Sequence, residues 1–209
     1  MRELHIGLDL DNTIIDYDQA FGEVGSEIGL LARDHRLASK DAVKAFLRTP
    51  PHVEEDWMRL QGQVYGRYID RARIYDGVDD CLRTLRERGV KVSIVSHKTR
   101  HGHFDPDRIS LWDASMSWLE TRGFFAPDGY GLRREDVHFS ETRAGKIATI
   151  GAIGCDAYVD DLAEVLLDPK FPTRTRGIWF ATDKDPSEGG VLKPYRHWKD
   201  VAQALAHLS

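Results

Sequence analysis

Five short apolar runs alternate with helix-period segments along this chain, and that alternation constrains the fold more than any other feature. The runs occupy residues 4–10, 90–95, 137–139, 157–159 and 177–181. Apolar stretches of this length, bounded by polar residues, read as buried strands. Between them lie amphipathic stripes. Val78, Cys81, Leu82 and Leu85 follow i, i+3, i+4, i+7 spacing, and Gly89 supplies the stop. Leu111, Ala114, Trp118 and Leu119 form another stripe, and Ala144, Ile147, Ala148 and residues 150–153 a third. A short helix follows over 162–167, and Trp198, Val201, Ala202, Leu205 and Leu208 mark a closing one. Strands separated by helices, with no hairpin signals, imply an α/β fold: a parallel sheet with helices on both faces.

One stretch breaks the alternation. From residue 17 to residue 73 the pattern is helical throughout. Ala20, Phe21, Val24, Ile28, Leu30 and Leu31 recur at helix-like intervals. A second helix is expected over 40–47, and Thr49-Pro50-Pro51 breaks the chain after it. A third runs from about 53 to 69. The expected organisation is a core of residues 1–16 and 74–209, with a helical module, 17–73, inserted after the first strand.

Composition narrows the function. The 209 residues carry a formal net charge of -5, with 41% hydrophobic and 30% charged residues. That balance excludes the electrostatic footprint of a nucleic-acid binder. No apolar run approaches the roughly 18 residues that span a bilayer. The first residues lack the apolar core of a secretory signal, so a cytoplasmic location is expected. Cys81 falls on a helical stripe and Cys155 just before a strand. Both read as reduced, buried thiols, and neither has a ligand at zinc spacing.

The chemistry lies at strand ends. Asp9, Asp11, Ser96, Asp160 and Asp161 all follow the carboxyl ends of expected strands. Right-handed crossovers bring those ends to one edge, where open α/β sheets bind ligands. Two acids with a turn between them suit a hard cation such as Mg²⁺. The same pair can supply a nucleophile and a proton donor. A calcium loop is the competing reading of Asp9-Leu-Asp11-Asn-Thr13. It requires Gly and Glu where this chain has Ile14 and Ala20. Lys146 falls in the first turn of an expected helix, where a cation opposes the macrodipole and a purely structural role would favour an acid. Asp161 can cap a helix and still bind a metal.

In order, the chain presents an acid-x-acid-x-Thr motif, a strand-end Ser, a Lys and a strand-end acid pair. This resembles the haloacid dehalogenase (HAD) superfamily. Asp9-Leu-Asp11-Asn-Thr13 looks like its first motif, Ser96 its second, Lys146 its third and Asp160-Asp161 its fourth. The resemblance covers residues 4–16 and 75–181. It implies a Rossmann-like core with 17–73 as a helical cap. It also implies a Mg²⁺-dependent phosphatase that forms an aspartyl-phosphate. Asp9 would attack phosphorus, and Asp11 would protonate the leaving group and lend its backbone carbonyl to the metal. Ser96 would hold a phosphoryl oxygen and Lys146 would neutralise charge beside Asp9. Asp160, Asp161 or both would complete the metal shell, Asp161 being slightly favoured.

The segment between Ser96 and Lys146 is long and begins His97-Lys98-Thr-Arg100-His101-Gly-His103. Functional residues concentrate on strand-end loops, so His97, Lys98 and Arg100 are candidate ligands of a second substrate anion, with Thr13 beside the first. A metal site on His101 and His103 is disfavoured. Tyr17, Asp18, Phe21 and Trp57 could face a substrate from the cap, although aromatics at helical spacing usually form a core. The expected substrate is a small phosphorylated metabolite, a sugar phosphate or a nucleoside monophosphate. A lidded crevice excludes polymers and no membrane partner is expected. A phosphomutase uses the same core residues. A dehalogenase has no use for Asp11 or the acid pair, a phosphonatase needs an imine-forming cap lysine, and an inactive binding module would be expected to have lost Asp9, Asp11 or Lys146.

Overall fold

The computed structural model describes residues 3–105, 107–182 and 184–208; positions 1, 2, 106, 183 and 209, including one residue of the 97–108 loop, lie outside that set. In chain order the elements are β1 (His5–Leu8), β2 (Ile15–Asp16), α1 (Asp18–Glu27), α2 (Lys40–Leu47), α3 (Glu54–Tyr65), β3 (Arg73–Ile74), α4 (Val78–Glu87), β4 (Lys91–His97), α5 (Leu111–Thr121), β5 (Val137–Ser140), α6 (Arg143–Ile153), β6 (Ala157–Asp160), α7 (Ala163–Leu166), β7 (Arg176–Phe180), β8 (Pro194–Tyr195) and α8 (Trp198–Ala206). The chain forms two compact units.

The first unit contains Met1–Ile14, Ile74–Lys98 and Gly123–Ser209. Its six-stranded sheet has the order β5-β4-β1-β6-β7-β8, and every pair is parallel. The chain winds outward from β1 in one direction and then in the other. This is the doubly wound arrangement, and its switch point lies between β1 and β6. Register fixes what gathers there: Leu8 pairs with Ile94 on one side and Val159 on the other, and the Asp9 amide extends the ladder to Val159 O at 2.9 Å. The residues following β1 therefore emerge between the ends of β4 and β6.

The central strand is packed from both faces. Ile6, Leu8, Ile94, Val95, Tyr158 and Val159 are fully buried. Gly7 is required by this packing, because a Cβ there would lie 2.6 Å from the Tyr158 ring and 2.7 Å from Cys155 Sγ. The Tyr158 hydroxyl meanwhile donates to Val95 O across β1. Gly7→Val should overpack this layer and destabilise the protein by roughly 1–3 kcal/mol. Urea unfolding monitored by tryptophan fluorescence would check it, and an unchanged midpoint would count against this packing. The helix α4 closes as its sequence requires: Gly89 adopts φ +67°, and its amide and that of Val90 return to Arg86 O and Leu85 O. Cys81 and Cys155 are buried free thiols, and burial pushes both up to about 12.

The second unit contains Ile15–Arg73 and Thr99–Arg122. Sequence pattern alone assigns all of 74–209 to the core, whereas contacts join Thr99–Arg122 to the inserted helices. The reason is a close backbone approach. A Cβ on Gly102 would lie 2.6 Å from Gly62 Cα in α3. Buried Asp105 accepts hydrogen bonds from Gln63 Nε2 at 2.9 Å and from the Ile109 amide at 3.0 Å. Phe21 stacks on Trp57 with ring centroids 5.1 Å apart, and Tyr17 tilts against Tyr65 at 4.5 Å. These aromatics form the unit's own core. The helix expected over 53–69 ends at Tyr65, and a separate 3₁₀ turn covers Ile69–Arg71.

Candidate active site

Every strand-end residue singled out from sequence in the first unit lies at the carboxyl edge of the sheet, at or beside the switch point. Asp9 follows β1. The chain then turns through Asn12 at φ +59°, a conformation asparagine tolerates better than most residues. The Ile14 amide closes the turn on Leu10 O at 3.0 Å, and the Trp198 indole holds Thr13 O at 2.9 Å. Thr13 Oγ1 donates back to Asp9 Oδ2 at 3.3 Å.

Lys146 reaches the site from the first turn of α6, whose N-cap Thr142 accepts from the Gly145 amide. Its side chain is fully buried. Its ammonium lies 2.7 Å from both Asp9 Oδ1 and Asp160 Oδ2 and 5.6 Å from the centroid of the Tyr158 ring. Burial pulls the Lys146 ammonium down, but Asp160 and Asp9 outweigh it and hold its pKa above the ordinary value. Burial pushes Asp9 up to about 6, against the lowering by Lys146 and with a further push from Asp160 and Asp11. Asp160 is also raised by burial despite Lys146.

The tandem acids divide their tasks. Asp160 is wholly buried; its Oδ2 meets Lys146 and its Oδ1 accepts the Leu162 amide at 2.9 Å. Asp161 is 7% exposed, and its backbone carbonyl is fixed by the Trp179 indole at 3.1 Å. Asp9, Asp160 and Asp161 each offer an oxygen within 4.8 Å of the others, forming the only such acidic, His or Cys cluster among the described residues. Neither His101 nor His103 belongs to that cluster. His101 Nδ1 instead meets Arg108 O at 2.9 Å.

Two features complete the site. The Ser96 hydroxyl is buried with no hydrogen-bond partner among the described residues, so it carries a polar group that a ligand oxygen would satisfy. Lys98, expected on a polar strand-end loop as a substrate ligand, is buried with its ammonium 2.8 Å from Asp11 Oδ1. Its amide continues the β4–β5 ladder to Ser140 O at 2.8 Å. Strand alternation was the missed signal, because residues 96 and 98 share a face when the extended backbone continues past 97. His97 ends β4, and burial, then Lys146, lowers its pKa and favours the neutral ring. Arg100 belongs to the second unit, its guanidinium 5.4 Å from the Trp112 ring.

Four acidic side chains, Asp9, Asp11, Asp160 and Asp161, outnumber the two ammoniums, Lys98 and Lys146. An all-oxygen donor set with that surplus fits a hard divalent cation. It lacks the histidine nitrogen and cysteine sulfur on which most zinc sites are built.

No protein-family model matches the chain, and no curated protein matches it in sequence. Solved structures do match over its whole length. A haloacid dehalogenase-like hydrolase from Burkholderia xenovorans LB400 aligns with a TM-score of 0.60 at 13% identity, covering 99% of this chain and 98% of its own. The HAD-hydrolase YfnB of Bacillus subtilis, solved bound to magnesium, gives 0.57 at 14% identity with 98% and 99% covered. A HAD family hydrolase from Deinococcus radiodurans R1, with bound phosphate and sodium, gives 0.55 at 15% identity with 98% and 95% covered. The chain therefore has the HAD-like hydrolase fold, an α/β core with a Rossmann-like parallel sheet.

Proposed function

We propose that this protein is a Mg²⁺-dependent phosphatase that hydrolyses a small phosphorylated metabolite through an aspartyl-phosphate on Asp9. The observation that carries this reading is the buried Asp9 carboxylate, held by Lys146 at 2.7 Å, in one site with an unpartnered Ser96 hydroxyl and an acidic cluster. A dehalogenase would have no use for that cluster. The net charge of -5 favours a small substrate over a nucleic-acid polymer, and no helix among the described residues is long and apolar enough to cross a membrane. We place the protein in the cytoplasm on the same reading.

In the first half-reaction an Asp9 oxygen attacks phosphorus, the ester P–O bond breaks, and the leaving oxygen takes a proton from the Asp11 carboxyl. In the second, water attacks the phosphorus of the aspartyl-phosphate and gives its proton to the Asp11 carboxylate. The bond to Asp9 then breaks and releases phosphate. The Ser96 hydroxyl donates to a phosphoryl oxygen, and Lys146 holds Asp9 in place while offsetting charge on the transferring group. Asp160 acts by anchoring Lys146 and the turn into α7. The carboxylates of Asp9 and Asp161, with the Asp11 backbone carbonyl, would hold Mg²⁺, which would supply charge neutralisation at the phosphoryl oxygens when bound.

A panel of phosphorylated metabolites incubated with Mg²⁺ and read by phosphate release tests the reading. Chelation with EDTA should lower the rate by at least about a hundredfold, since such a cation contributes several kcal/mol to the transition state. Added Mg²⁺ should restore it. Hydrolysis that is indifferent to EDTA, or no phosphate release from any substrate, would overturn the assignment.

A further inference from the structure

We propose that Lys98 is a positioning residue for proton transfer: it fixes the Asp11 carboxylate and stabilises the charge that appears there as Asp11 gives up its proton to the leaving group. The inference rests on the phosphatase reading and assigns Lys98 a task other than binding a second substrate anion. The geometry behind it is specific. Lys98 Nζ lies 2.8 Å from Asp11 Oδ1, with side chains only 2% and 14% exposed. A buried cation of this kind is not a solvated loop lysine, and its ammonium is committed to a carboxylate of the site. The backbone leading to it is equally fixed, because the Lys98 amide bonds Ser140 O at 2.8 Å. The site thus contains two buried lysines: Lys146 pairs with Asp9 and Asp160, and Lys98 pairs with Asp11.

This division has a chemical consequence. When the ester P–O bond breaks, the leaving oxygen gains a proton and Asp11 becomes a carboxylate. An ammonium already aimed at that carboxylate stabilises it in a low-dielectric site without reorganisation. The benefit depends on the leaving group. An alkoxide leaves only if protonated, so it needs Asp11 and, through it, Lys98. A p-nitrophenolate leaves without a proton and needs neither.

The test compares benzyl phosphate with p-nitrophenyl phosphate, both with Mg²⁺, in wild type, Lys98→Met, Lys98→Arg and Asp11→Asn. Lys98→Met should lower kcat on benzyl phosphate by about a hundredfold, the size of a general-acid contribution. On p-nitrophenyl phosphate the loss should be about threefold, with KM little changed on either. Asp11→Asn should show the same leaving-group bias, and Lys98→Arg should recover part of the benzyl phosphate rate. If Lys98→Met does not fold, Lys98→Gln carries the comparison. An equal loss on both substrates, or a rise in KM with kcat preserved, overturns the positioning role. Wild type that releases phosphate from neither ester nor any metabolite of the panel overturns the phosphatase reading itself and the inference with it.

Discussion

Asp9→Asn should abolish hydrolysis and at the same time stabilise the metal-free protein. Loss of the nucleophile should cost at least about 10³-fold in kcat. The stability gain follows from the crowding of charge around one ammonium. Lys146 faces two buried carboxylates, and burial pushes Asp9 from 3.8 up to about 6. The native state therefore binds a proton more tightly than the unfolded chain between those values, so stability of the metal-free protein falls as pH rises through that window. Above it, ionised Asp9 carries a penalty of up to about 3 kcal/mol, the equivalent of moving from 3.8 to about 6. Asparagine removes the charge and leaves Lys146 paired with Asp160 alone. Because Lys146 loses one partner, the net gain should be about 1–3 kcal/mol, or roughly 2–10 °C in Tm for a chain of this size. Calorimetry at pH 7.5 in EDTA would measure it. A lower Tm for Asp9→Asn would contradict the charge balance assigned to the site.

Lys146→Met should have the opposite effect on the same balance. It leaves Asp9 and Asp160 buried without their shared cation. Removing one partner from a buried ion network typically costs about 3–5 kcal/mol. In wild type the Lys146 pKa is held above 10.5 by Asp160 and Asp9 against the pull of burial. Its stabilisation is therefore fully present at neutral pH and is lost only as pH rises past the ordinary lysine range. In the variant the two carboxylates lose the group that lowers them, so their protonation should rescue the fold as pH falls. Melting curves at pH 5 and pH 8 should show a variant much weaker than wild type at pH 8 and closer to it at pH 5. A deficit of equal size at both would argue that Lys146 acts only by filling space.

Five of the six strands of the doubly wound sheet were legible because each carries an apolar run long enough to show its burial. The two-residue strands Ile15–Asp16, Arg73–Ile74 and Pro194–Tyr195 were not, since two residues have no periodicity and a proline argues against a strand. The grouping of Thr99–Arg122 with the inserted helices depends on Gly62 and Gly102 meeting backbone to backbone, a tertiary event that no local pattern announces. The constellation was legible at the level of residue types: Asp9, Lys146 and the tandem acids come together. Which acid of the tandem faces Lys146 was not legible, because neighbouring residues on a strand end point in opposite directions and only the register with β1 decides between them. Lys98 reads from sequence as a loop cation because the apolar run ends at Val95, whereas the extended backbone carries on to residue 98.

The most direct test of the central claim is chemical trapping of the phosphorylated side chain. Wild-type protein turning over p-nitrophenyl phosphate with Mg²⁺ would be quenched with borohydride, which reduces an acyl phosphate to the alcohol, and the digest read by mass spectrometry. The expected result is homoserine at position 9 and at no other aspartate. Phosphate release with position 9 recovered only as aspartate, or homoserine at another residue, would contradict it.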